Sequence, residues 1–222
     1  MVPVAEYLCA GKLSKQGLMW ASPTTLTPPL SQRERVEKTC FLSTICLDKA
    51  LNMLDAKTIL KLFEALNAEL ATHGVKGEIG ICGGAVMCLV FQAREATKDV
   101  DAIFHPTREI REASRAVAAR LGLAEDWLND AAKCYFLATP PVHEVMELSH
   151  LRVWAPQAEY MLAMKCVSAR FDSHDLDDAK FLLRHLEIKT PDQAFRIIEQ
   201  YYPRHVIPPK TQFLLEEILG SG

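Results

Sequence analysis

Two aspartates separated by a single residue, Asp99 and Asp101, open the apolar run from Val100 to Phe104 of this 222-residue chain. In an extended strand, residues two apart project to the same face. The carboxylates then stand side by side, and like charges that close need something positive between them. A divalent metal is the usual answer. Upstream, Gly83-Gly84 ends a short apolar segment and opens what reads as a helix. Glycines let backbone approach a phosphate, and a helix N-terminus presents N–H groups to it. Arg94 and Thr97 lie between the two features. Lys165 follows downstream, set between Met164 and Cys166, and then the acidic group Asp175, Asp177 and Asp178. Carboxylates for Mg²⁺ and cations for phosphate are the parts of a nucleotide-handling site.

Each feature alone also has a plainer explanation. Gly83-Gly84 fits a tight strand-to-helix turn. Lys165 fits a side chain that buries its stem and keeps its charge wet. Asp175, Asp177 and Asp178 fit a helix start, where capping and the helix dipole favour acidic residues. Glu144 and Glu147 carry further carboxylates on a strand, but their odd spacing places them on opposite faces. Arg108, Arg111 and Arg115 share a helix face with Glu109 and Glu112 among them, so that face reads as solvated.

The elements that must position these residues follow from periodicity. Asp55 is a candidate N-cap, and Ile59, Leu60, Leu62, Phe63, Leu66 and Leu70 follow at helical spacing toward Gly74. Glu78 to Cys82 reads as a strand, Ala85 to Gln92 as a helix and Asp99 to Phe104 as the second strand. Helices are expected from Pro106 to Leu121 and from Ala124 to Lys133, then short strands at 142–148 and 151–154. Beyond Pro156 the chain reads as helical, at about 157–171, 175–186, 191–201 and 209–219. Thr190-Pro191 makes a good start signal for the third of these. A small mixed sheet followed by helices is an α+β architecture. Residues 1–35, rich in Pro, Ser and Thr around positions 22–31, read as a flexible leader or an over-extended start. A helix over about 33–51 is a further possibility.

Taken in order, these motifs resemble the nucleotidyltransferase superfamily, in its AbiEii-type branch known from bacterial toxin–antitoxin systems. Strand, Gly83-Gly84, helix, then Arg94-x-x-Thr97-x-Asp99-x-Asp101 resembles its first motif. Tyr160 to Arg170 resembles the lysine-bearing helix, with Lys165 in the key place. Arg170 to Asp178 resembles a third motif, in which His174 stands where lysine is usual and the aspartate falls on Asp175 or Asp178. The resemblance covers about 78–186. It implies a nucleotidyltransferase-like α/β domain over 36–155 and a helical region over 156–222 that completes the cleft. It also implies an NTP substrate, with Asp99 and Asp101 as metal ligands for Mg²⁺. Gly83, Gly84, Arg94 and Thr97 would contact the nucleotide, and Lys165 and Asp175 would join the aspartates in catalysis. The third acidic partner stays open among Asp175, Asp178 and Glu147. The acceptor would be a hydroxyl on tRNA or a protein, and an antitoxin protein is the implied partner. A catalytically silent module of the same fold, binding nucleotide or a partner protein, is the alternative.

The bulk properties fit this. A net charge of −3 offers no global attraction to nucleic acid, so any RNA contact needs a local patch. No apolar run is long enough to span a bilayer. Seven cysteines, an odd number without a C-x-x-C pair, read as small buried hydrophobes of a reducing compartment, which makes the cytoplasm the expected location.

Overall fold

In the computed structural model, residues 53–137, 139–168 and 174–220 are described. They belong to a compact unit spanning Ile45–Gly222. The expected leader at 1–35, the possible helix at 33–51 and Arg170 lie outside the described residues.

Strand β1 (Leu54–Asp55) leads into helix α1 (Ala56–Thr72), whose N-cap Asp55 accepts a hydrogen bond from the Thr58 N–H at 2.7 Å. Ile59, Leu62, Phe63, Leu66 and Leu70 recur at helical spacing and are all buried, so one stripe of α1 faces the core. Strand β2 (Gly77–Ile81), helix α2 (Gly83–Leu89), strand β3 (Ala96–Thr97) and strand β4 (Val100–His105) follow. Helix α3 (Thr107–Leu121), strand β5 (Leu128–Asn129) and a 3₁₀ turn over Ala131–Tyr135 come next, then strands β6 (Val142–Glu147) and β7 (Leu151–Pro156). The main sheet has the order β5-β4-β2-β7-β6, while β1 pairs with β3 in a separate two-stranded ribbon. In the main sheet β2 runs antiparallel to β4 and parallel to β7. The mixed α+β class expected from the sequence is therefore present, with seven α-helices among the described residues.

The period of two divides the sheet's faces. Ile79, Ile81, Val100, Ala102, Leu151 and Val153 share one face and are buried on the side of α1 and α3. Asp101, Ile103, Gly80 and Trp154 share the other face. Helix α4 (Ala158–Ser168) is apolar nearly all round and packs against α5 (Asp175–His185), α6 (Pro191–Tyr201) and α7 (Pro209–Leu219). Helix α6 starts as its sequence signals, with Thr190 and Gln193 forming a reciprocal capping box ahead of Pro191. Among the described residues, no helix is long and apolar enough to cross a membrane.

Two expectations differ from the structure. Residues 124–133 form no α-helix, and a 3₁₀ turn begins only at Ala131. The Trp127 indole N–H donates to the Ser114 carbonyl of α3, and the Trp127 carbonyl accepts the Val100 N–H at 2.7 Å. That anchoring draws Leu128 and Asn129 alongside β4, so tertiary contact overrides local helical preference. Glu144 and Glu147 do not lie on opposite faces either. A β-bulge between Glu144 and Met146 sets Glu144 opposite Trp154 and Glu147 opposite Arg152, two residues apart on the partner strand. The extra residue returns both glutamates to one face.

The 3₁₀ turn at 131–135 is pinned from the C-terminal helices. The hydroxyls of Tyr160 and Tyr202 both donate to the Tyr135 carbonyl, at 3.4 and 2.5 Å. Tyr160 also stacks on Phe136 and meets Tyr201 edge-on. Tyr202→Phe keeps the packing and deletes one of these bonds. We expect a loss of about 1 kcal/mol in urea unfolding; an unchanged midpoint and slope would show that the bond adds no net stability.

Candidate active site

Four of the residues singled out in the sequence line one cleft of about 570 Å³: Asp99, Asp101, Lys165 and Asp175. They arrive from three separate places. Asp99 and Asp101 flank the first residue of β4, Lys165 lies near the end of α4, and Asp175 is the first residue of α5. Gly83 also lines the cleft.

The two glycines are needed for packing around this site. Gly83 has φ +61°, the left-handed region that a β-carbon disfavours. A Cβ there would also fall 2.9 Å from Asp101 Oδ2. A Cβ on Gly84 would fall 2.3 Å from the Thr97 hydroxyl oxygen. Thus Asp101 and the buried Thr97 both press on the turn, each against a missing side chain. The Cys82 N–H donates to the Asp101 carbonyl at 2.9 Å and fixes the turn to β4.

Arg94 and Thr97 do not line the cleft in the way the aspartates do. The Arg94 guanidinium forms a two-pronged pair with Asp178, Nε to Oδ1 at 2.7 Å and Nη2 to Oδ2 at 2.5 Å. Asp178 is only 2 % exposed. Its Oδ2 lies 2.8 Å from Lys165 Nζ, which also donates to Asp175 Oδ1 at 2.7 Å. Asp178 is therefore the buried member of the acidic group and Asp175 the member at the cleft. Glu147, the third candidate, stands on edge strand β6, separated from β4 by β7 and β2. Among the described residues, no three His, Cys, Asp or Glu side chains form a group that could hold a metal ion.

Three polar lining residues of the β5 segment and the 3₁₀ turn escaped the sequence reading: Asp126, Asn129 and Tyr135. Asn129 sits opposite Asp101 in the parallel β4–β5 register, with its side-chain N–H 3.4 Å from Asp99 Oδ2. The adjacent polar pair Asn129-Asp130 is a turn signal that argues against a helix through this stretch.

Four carboxylates and one ammonium face the cleft, so its field is negative. Burial, reinforced by the charge of Asp101, pushes the Asp99 carboxyl above the usual carboxylate range, against the pull of Lys98. The Cys82 thiol is pushed up by burial and then by Asp101, and burial alone pushes Cys166 up to about 12. Both thiols stay protonated at neutral pH, as buried non-nucleophiles do.

A site of two adjoining carboxylates fits Mg²⁺. That ion is commonly held by one or two carboxylates, with water and substrate phosphates completing its octahedron. No family model, no curated protein and no solved structure matches this chain.

The raised Asp99 carboxyl has a consequence for stability. Its charged form is disfavoured on folding, so the associated stability is full below the unfolded-state value and is lost as pH rises through the folded one. We expect Asp99→Asn to raise the melting temperature at pH 7 and to have little effect once pH falls below the ordinary carboxylate range. A variant less stable than the parent at pH 7 would contradict this.

Proposed function

We propose that the chain is a Mg²⁺-dependent nucleotidyltransferase, moving an NMP from an NTP to an acceptor hydroxyl. The observation that carries this reading is the meeting of Asp99, Asp101, Lys165 and Asp175 on one cleft, from segments far apart in sequence. A negative cleft repels a bare triphosphate, which favours a substrate arriving with a divalent cation.

Asp99 and Asp101 would hold Mg²⁺, which there supplies a Lewis acid for the phosphoryl oxygens. Lys165 is a point charge that offsets phosphate charge as it builds up. The reaction joins the acceptor oxygen to the α-phosphorus, breaks the bond to pyrophosphate and releases the hydroxyl proton. Asp175, at the cleft beside Lys165, is the carboxylate suited to take that proton. Gly83 keeps the floor of the site free of side-chain bulk. The acceptor in this reading is tRNA or a protein side chain, and a neutralising antitoxin protein and a cytoplasmic location belong with the resemblance.

The test is incubation of the full chain with each α-³²P-labelled NTP, Mg²⁺, tRNA and cell extract. Label should pass to RNA or protein, and Asp101→Ala should lower transfer at least about a hundredfold with circular dichroism unchanged. Undiminished transfer by Asp101→Ala would sink the assignment. Nucleotide binding without any transfer would favour the silent nucleotide-binding module.

A further inference from the structure

We infer that Arg94 is a positioning residue for Lys165, acting through Asp178, and is not itself a phosphate contact. The inference rests on reading the cleft as a nucleotide site. Arg94 and Asp178 are absent from the cleft lining, whereas Lys165 and Asp175 belong to it. Arg94 lies behind the glycine turn, with Nη1 3.6 Å from where a Gly84 Cβ would stand. Its Nε and Nη2 both point at Asp178, one to each carboxylate oxygen.

The chemistry follows from how Asp178 divides its charge. With Arg94 in place, a nearly dry carboxylate has a full two-pronged counter-charge, and Lys165 is its second partner. Without Arg94, Lys165 becomes its main counter-charge and is drawn back from the cleft. An ammonium carries three donors, of which Asp175 and Asp178 engage two. Arg94 thereby leaves Lys165 able to offer charge to an incoming phosphate, while Asp178 fixes where that charge stands. The pair also links the segment between α2 and β3 to helix α5, so the lysine is registered against the glycine turn.

Acetylation of Lys165 by acetic anhydride, read by mass spectrometry at one fixed pH against Lys189 as internal reference, tests this in the full chain. Arg94→Gln should slow labelling of Lys165 by about three- to tenfold, because the ammonium is gripped harder. Asp178→Asn should speed it by a similar factor. A merely structural role would loosen the site and speed labelling in both variants. Unchanged labelling in Arg94→Gln would show that Arg94 does not act on Lys165 through Asp178. Either result overturns the inference. Arg94→Lys, which keeps the charge but not the fork, should slow labelling by a smaller factor and serves if Arg94→Gln does not fold. In the unsubstituted chain, Mg²⁺ with ATP, GTP, CTP or UTP should protect Lys165. If none protects, the nucleotide reading of the cleft fails, and the comparison of variants still decides the coupling of Arg94, Asp178 and Lys165.

Discussion

Taking an aspartate out of water costs several kcal/mol unless its charge is met by close, well-aligned partners. Asp178 is 2 % exposed, and it is met by two cations at hydrogen-bonding distance. Much of the site's geometry hangs on this. Arg94 must come from the stretch between α2 and β3, and Lys165 from α4, for α5 to hold its first turn where it does. Removing one partner of such a pair typically costs about 3–5 kcal/mol, because the other charge is left stranded. An exposed pair such as Arg108–Glu112 is in another class, screened by solvent and adding little to stability. Ion pairs are scattered over the surface, but this one carries structural weight.

A second constraint runs against stability. Asp99 and Asp101 are held near each other in a partly buried cleft, and Asp99 is harder to ionise for that reason. Nothing in the packing of the core calls for this arrangement. Val100 and Ala102 already fill the opposite face of the strand. The glycine turn leaves room for the Asp101 carboxylate, so the fold accommodates two like charges at one cleft.

The long helices were legible because their apolar residues repeat over several turns. In α1 the buried residues are the ones its periodicity selects, and in α6 the capping box stands where Thr190-Pro191 signals it. The paired aspartates were legible because a period of two needs only three residues. What escaped depended on partners distant in sequence. Arg94 and Asp178 lie 84 residues apart, and no spacing rule connects them. Trp127 reads as a helical residue until its bonds to Ser114 and Val100 are known. The bulge in β6 shifts one residue, enough to move Glu147 to the other face from the one its spacing implies. Gly84 reads as a turn glycine, yet the contact that excludes a side chain is the Thr97 hydroxyl.

At the acidic start of α5, helix-start preference and tertiary ion pairing act on the same residues. Carboxylates are favoured in the first turn of a helix by its dipole, whatever else they do. Residues three apart on a helix are neighbours on its surface, so Asp175 and Asp178 can reach the same ammonium. Their burial differs: the Asp175 side chain is 21 % exposed beside Lys165, while that of Asp178 is 3 % exposed and paired with Arg94. The same dipole that would stabilise any acid there thus helps hold one carboxylate at the cleft and another beneath it. A single lysine is held between them by both carboxylates. That division of labour is invisible in the run Asp175-Leu176-Asp177-Asp178, where the aspartates differ only in number.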